Sequence, residues 1–222
     1  MQLNADHELH LRKAEAVRTH LSTEQIKSSD HEAFAFDLQQ VLSLPRLTTN
    51  EVYYCRQLSV YNLGVNSITS KKSTFYIWDE TLASRGYQDI GSCLINYCLE
   101  KADSGIRTIT AYSDLCGGQN RNHKMALMWI YICELSTIEF IDHKFMTSGH
   151  SYLPNDADFG IIERATNKCS ELYVPEQWCS LIEKCNRKNS FKVVRMEQHN
   201  VLCGIYCERL PSEEHNHRRS ES

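Results

Sequence analysis

Tyr112-Ser113-Asp114-Leu115-Cys116-Gly117-Gly118-Gln119-Asn120 closes an apolar run that begins near Ile106, and closes it on a carboxylate followed by paired glycines. The run from Ile106 to Tyr112 reads as a strand. An acid at its end stands at the open edge of a sheet with little side-chain bulk beyond it, and Asp is a good hard-oxygen ligand for Mg²⁺ or Mn²⁺. Glycines at 117 and 118 let backbone approach a ligand closely. The same residues also make an Asx-type turn in which Asp114 caps the helix that follows, and this segment alone weighs the two readings equally.

Three strand patterns precede this stretch. Ala33-Phe34-Ala35-Phe36-Asp37-Leu38 is a short apolar run with an acid inside it, followed by a loop around Pro45. Val52 to Val65 and Thr74-Phe75-Tyr76-Ile77-Trp78 are the next two, with Ser70-Lys71-Lys72-Ser73 as the turn between them, which predicts an antiparallel meander. Ile90, Cys93, Leu94, Tyr97 and Cys98 then follow the spacing of one buried helix face. Downstream, Asn122 to Leu135 is apolar enough for a buried helix, and Ile138-Glu139-Phe140-Ile141 for a strand. Amphipathic helices follow after Pro154 and around Trp178, Leu181, Ile182 and Cys185. Phe191 to Val194 and Val201 to Tyr206 predict a terminal hairpin.

The resulting order, βββαβαβα, is that of the ribonuclease H-like fold: α/β, with a mixed sheet and helices on both faces. In that fold the first and fourth strands lie side by side, which makes Asp37 and Asp114 neighbours. Two carboxylates brought together repel unless a cation sits between them or one takes up a proton. A third acid would complete a site for two divalent ions about 3.5–4 Å apart, the arrangement used for in-line phosphoryl displacement. Gly149 to Glu163 supplies the candidates. With Pro154 near a helix start, Asp156 falls in the first turn and shares a face with Phe159, Gly160 and Glu163, while Asp158 points elsewhere. The order of preference is therefore Asp156, Glu163, Asp158. The competing reading makes Asp156 a cap and Glu163 an exposed acid.

His150, between Gly149 and Ser151, stands where it could orient a water or touch a phosphate, whereas His143 belongs to a strand end. Gln119, Asn120, Arg121 and Lys124 make a polar, basic patch at the start of the buried helix. That patch is suited either to receiving a phosphate of DNA or to being an ordinary solvated first turn. Cys116 beside the glycines, with His123 or His150 in reach, offers a thiol chemistry that a lone cysteine supports least of the three readings.

The totals set bounds. The 222 residues, 41% hydrophobic, can bury one good core, and the 24 Lys and Arg against 28 Asp and Glu show no basic excess announcing a nucleic-acid surface. Ten cysteines include no C-x-x-C pair, which excludes the common zinc ribbons and fingers and leaves reduced core thiols in an intracellular compartment. No segment has the pattern of a signal peptide or the length of a membrane span, so no membrane partner is expected. Residues 1–30 read as an N-terminal helical extension and linker, 31–210 as the core with C-terminal helices and strands, and 211–222 as a disordered tail.

Phe36-Asp37-Leu38-Gln39, Tyr53-Tyr54-Cys55-Arg56-Gln57-Leu58, Tyr61-Asn62-Leu63-Gly64, Trp78-Asp79-Glu80, Ser84-Arg85-Gly86, Asp114 through Asn122, and Gly149-His150-Ser151 through Phe159-Gly160 together resemble a family of uncharacterised proteins. That family is multicopy in many animal genomes and transposon-derived, and its central domain is similar to the DDE/D integrase-type core. The resemblance spans roughly residues 6 to 170. Related sequences carry Gly-His-Thr followed by an Asp at the spacing of Asp156, which favours that acid. Longer members carry a further N-terminal region, so this chain resembles a shortened copy.

That family supplies no reaction to carry over; the fold and its acids point to a divalent-metal-dependent nuclease or polynucleotidyl transferase core of transposase origin. It would use two Mg²⁺ or Mn²⁺ ions on Asp37, Asp114 and Asp156, with DNA as partner, a nuclear location and room for a homo-oligomer. The alternative is a domesticated or decayed relative that keeps the fold as a binding or interaction module.

Overall fold

The computed structural model describes residues 28–47, 56–146 and 153–198, together with Thr19 and Thr23. Apart from Thr19 and Thr23, which are helical, the predicted N-terminal helix lies outside the described residues, as do the loop bearing His150, the second half of the predicted hairpin and the tail.

The first strand, β1 (His31–Leu38), is buried almost throughout, as befits a central strand covered on both faces. Its alternation sends Phe34 and Phe36 to one face of the sheet and Ala33, Ala35 and Asp37 to the other. Fully burying one such aromatic ring is worth about 1.5–3 kcal/mol, and a one-residue slip would exchange two phenylalanines for alanines and an acid. The register is therefore firmly set. It pairs Asp37 with Gly64 of β3 (Leu58–Ser67), antiparallel, and Ala35 with Tyr112 of β5 (Thr108–Ser113), parallel.

Between β1 and β3 the loop around Pro45 contains a short strand, β2 (Leu42–Leu44), which pairs with β3 where β1 has ended. β3 turns into β4 (Ser73–Asp79) through Ser70 to Lys72, with Lys71 in the left-handed region at φ 56° and its amide closing on the Ser67 carbonyl at 2.9 Å. Helix α1 (Tyr87–Asp103) starts where Asp89 reaches back to accept from the Gly86 amide (3.2 Å) and the Ser84 hydroxyl (2.7 Å). After β5 come α2 (His123–Leu135), capped by Asn122 accepting from the Met125 amide at 2.9 Å, and β6 (Phe140–Phe145). Helices α3 (Pro154–Thr166) and α4 (Pro175–Cys185) each begin on proline, whose fixed φ and missing N–H suit a first helical position.

The chain then adds β7 (Lys192–Arg195) beside β4 and parallel to it. A crossover through α3 and α4 delivers the strand in the same direction as β4, as βαβ connections do.

The seven described strands run β6-β5-β1-β3-β4-β7, with β2 alongside β3. The three-strand antiparallel meander, followed by parallel additions on the far side of β1, is the ribonuclease H-like topology. Helices α1 and α2 cover the face carrying Phe34, Phe36, Leu63, Val65, Tyr76, Trp78 and Ile109. Helices α3 and α4 cover the other, with Ile162, Trp178 and Ile182 over Val60, Phe75 and Ile77, and Leu153 near Ala33, Ala35 and Tyr112. Cys93 and Cys98 are buried free thiols in the first of these cores, behaving as small hydrophobes.

Candidate functional site

The pleat that buries Phe34 and Phe36 beneath α1 and α2 turns Asp37 to the α3 side. There the parallel register carries β5 forward until Asp114, one residue past the strand, stands beside it. Helix α3 reaches this face because β3 has no side chain at Gly64. A Cβ there would lie 3.0 and 3.1 Å from the Phe159 ring and 3.1 Å from Phe75. The helix start is tied to the same residue, Asn155 Nδ2 donating to the Gly64 carbonyl at 2.8 Å. Asp156, next in the first turn, is thereby brought close enough for its charge to reach Asp37.

The charges register one another. Burial, first, and then the negative charge of Asp114 push the Asp37 carboxyl up to about 7, with a smaller push from Asp156, against the pull of the Leu38 amide donating to Oδ1 at 2.8 Å. Asp156 is exposed, and partial desolvation raises its carboxyl while a backbone hydrogen bond at Leu153 opposes the rise. Asp114 accepts from the Cys116 amide (3.4 Å) and, in a short contact, from Asn120 Nδ2, both on Oδ1. It makes the Asx turn but does not cap α2, which Asn122 does.

The donor set is all hard oxygen and carries excess negative charge, which suits Mg²⁺ or Mn²⁺. Among the described residues, however, no three His, Cys, Asp or Glu side chains are gathered closely enough to hold an ion as they stand.

The remaining candidates divide. Asp158 accepts from Asn66 Nδ2 (2.8 Å) and Ser73 Oγ (2.6 Å), so it fastens α3 to β3 and β4. Glu163 lines an open groove of about 430 Å³ with Asp156, Phe159, Gly160 and, across from them, Gln39, Gln40 and Arg46. In the expected phosphate patch, Asn120 is buried against Asp114, Gln119 Nε2 donates to the Arg85 carbonyl (3.2 Å), Lys124 Nζ donates to the Tyr87 hydroxyl (2.8 Å), and Arg121 is exposed. Asn120 is thus no surface group. The Cys116 carbonyl collects the amides of Gln119, Asn120 and Arg121, and that tight loop folds the Asn120 side chain back onto the acid.

His143 is the residue that sequence reasoning underweighted. It lies on β6 with its ring 5.5 Å from those of Phe36 and Trp129 and 4.2 Å from that of Phe145. Burial pushes it down to about 4, against the neighbouring Asp142, so it is neutral near pH 7. Trp129 Nε1 lies 3.1 Å from His143 Nδ1, and an indole N–H can only donate, so the proton sits on Nε2. That nitrogen donates to Ser113 Oγ at 2.9 Å, and Ser113 Oγ donates to the Asp114 carbonyl at 3.0 Å.

No family model matches the chain, and no curated protein matches it. Among solved structures it is similar to a chain of the cryo-EM structure of simian T-cell lymphotropic virus intasome in complex with PP2A regulatory subunit B56 gamma, at 9% identity and a TM-score of 0.42. The match covers 90% of this chain and spans 65% of the length of that one.

Proposed function

We propose that the chain is the core of a transposase-derived nuclease or polynucleotidyl transferase acting on DNA phosphodiesters in the nucleus, with Mg²⁺ or Mn²⁺ held by Asp37, Asp114 and Asp156. The observation that carries this reading is the neighbourhood of Asp37 on β1 and Asp114 at the end of β5, with Asp156 in the first turn of α3: burial, then the charge of Asp114 and least that of Asp156, push the Asp37 carboxyl up to about 7. Two such ions, when bound, activate the attacking oxygen and stabilise the departing one.

The residues contribute the rest. Asp37 and Asp114 present oxygens from adjacent rigid strand ends, and Asp156 closes the third side from a helix pinned through Asn155. A proton on Asp37 relieves the mutual repulsion of the free acids, and Asp37 would have to give it up to hold a cation. Glu163, seven residues beyond Asp156 on the same helix face, borders the groove along which a strand of DNA would leave the acids.

The test is cleavage and strand transfer of labelled DNA in Mg²⁺ or Mn²⁺ by the native chain and by Asp37→Asn and Asp114→Asn. Activity abolished in both variants supports the reading, and activity unchanged in Asp114→Asn sinks it.

A second reading, a catalytically silent ribonuclease H-like binding module, is favoured by the absence of a closed three-ligand group among the described residues and by a formal charge of −4. Under it, the native chain binds DNA or a protein partner without cleaving and is indifferent to divalent ions. No described helix is long and apolar enough to cross a membrane.

A further inference from the structure

We propose that Asn120 on one side, and Ser113 with His143 and Trp129 on the other, are positioning residues for Asp114: Asn120 occupies one carboxylate oxygen and the Ser113 relay fixes the backbone that bears the side chain, so that the other oxygen is offered to a cation beside Asp37. This rests on the acid-site reading above and goes beyond it.

Asp114 sits at an awkward place in the chain. The last ladder contact of β5 is made by the Ser113 carbonyl, which accepts from the Met146 amide at 2.8 Å. Asp114 is therefore the first residue beyond the ladder, where a carboxylate would ordinarily sweep through several rotamers. Two restraints act on it. From the sheet face opposite to Asp37, Ser113 Oγ takes up the Asp114 carbonyl at 3.0 Å, and its own orientation is set by the proton on His143 Nε2, 2.9 Å away. That proton's location follows from the Trp129 indole donating to Nδ1, so the relay has one polarity only: indole to imidazole to hydroxyl to carbonyl. The rings of Phe36 and Phe145 flank the imidazole at 5.5 and 4.2 Å.

From the loop side, Asn120 Nδ2 donates to Asp114 Oδ1, with the Cys116 amide on the same oxygen, so both donors load one oxygen.

Asn120 strengthens the case through what it lacks. It is 3% exposed, and its Oδ1 is buried without a hydrogen-bond partner. An amide kept dry with one end unpaired is a poor choice for packing alone, because an apolar side chain of similar shape would avoid that penalty. Its one satisfied contact is to the acid.

Partners that orient a metal-binding group from behind change affinity for the metal without touching it. The experiment is a titration of the full chain with Mn²⁺, followed by water-proton relaxation, alongside thermal unfolding of each variant. Ser113→Ala and Asn120→Leu should each weaken Mn²⁺ binding roughly tenfold or more, whereas a merely structural role for Asn120 predicts unchanged affinity once its orphan oxygen is gone. His143→Phe should weaken binding similarly. His143→Gln, whose amide can accept from Trp129 and donate to Ser113, should restore it.

Affinity lost in Asp114→Asn but native in Ser113→Ala, Asn120→Leu and His143→Phe overturns this inference alone. A native chain that takes up no Mn²⁺, or an Asp114→Asn variant that binds as well as native, overturns the acid-site reading and this inference with it.

Discussion

Asn155 Nδ2 donates to the carbonyl of Gly64 at 2.8 Å, and this bond ties the first turn of α3 to the strand directly opposite Asp37. The two residues come from distant parts of the chain, so the bond decides where Asp156 stands. Asn155 Oδ1 is buried without a partner, and this reduces what the side chain contributes in net terms.

Replacing Asn155 with Ala should therefore lower stability by about 1 kcal/mol, the low end for a buried hydrogen bond. In a domain of this size that is roughly 2–4 °C in thermal midpoint. The informative readout is Mn²⁺ affinity, which should fall further than the small loss of stability would suggest, because the helix start that carries Asp156 is released.

Gly64→Ala attacks the same junction from the strand. The added methyl would meet ring atoms of Phe159 at 3.0 and 3.1 Å and of Phe75 at 3.1 Å. Two packed rings have little room to give, so denaturant titration should show about 1–3 kcal/mol of destabilisation, the range for overpacking. A stability equal to native would mean that α3 is not seated on β3 as described.

Asp156 and Asp158 are two residues apart and should behave oppositely. Asp158 accepts from Asn66 and Ser73, so Asp158→Ala should lose about 1.5–3 kcal/mol, the range for hydrogen bonds to a charged group. Asp156 carries a carboxyl raised by desolvation and adds to the push on Asp37. Asp156→Asn should therefore leave metal-free stability at pH 7 unchanged or slightly higher while abolishing Mn²⁺ uptake. Paired unfolding and titration curves check both.

The pH dependence of metal-free stability contains two opposed contributions. Asp37 titrates near 7 in the folded chain, above the ordinary carboxylate value of 3.8, so between those values the folded state holds the extra proton and stability falls as pH rises. His143 titrates near 4, below its ordinary 6.5, so in that interval the unfolded state holds the extra proton and stability rises with pH. Each contributes a slope of at most about 1.4 kcal/mol per pH unit, and in the native chain they largely cancel from pH 4 to 6.5. Asp37→Asn should expose the rising slope and His143→Gln the falling one, read as thermal midpoints in chelator-treated buffer. Parallel pH profiles for the three proteins would contradict these assignments.

Much of the frame is legible in the residue pattern because it depends on local periodicity. The alternation in Ala33 to Leu38, the apolar density of Asn122 to Leu135 and the proline at 154 each specify an element and a direction without reference to the rest of the chain. The short strand β2 escapes such reading, because three residues carry no usable period. β7 is legible as a strand in Phe191 to Val194, but its partner β4 is set by a crossover that no local pattern shows. The Asp37 and Asp114 neighbourhood follows from strand order, whereas Asn120 looks like a solvent-facing amide until the loop closed by the Cys116 carbonyl turns it inward. His143 was placed at a strand end by its neighbours. Its tautomer depends on Trp129, a residue of another element, and no local pattern encodes it.

The parallel pairing of β1 with β5 has a temporal side as well. Parallel neighbours cannot be joined by a hairpin, so β3, β4 and α1 must be made before Asp114 can come to rest beside Asp37, and α3 is made later still. During synthesis the three acids belong to a chain that cannot yet assemble them, and a product broken off before α3 would contain two of them with nothing to close the third side. The order of the segments acts as an interlock. It withholds the third acid from every chain that stops before α3.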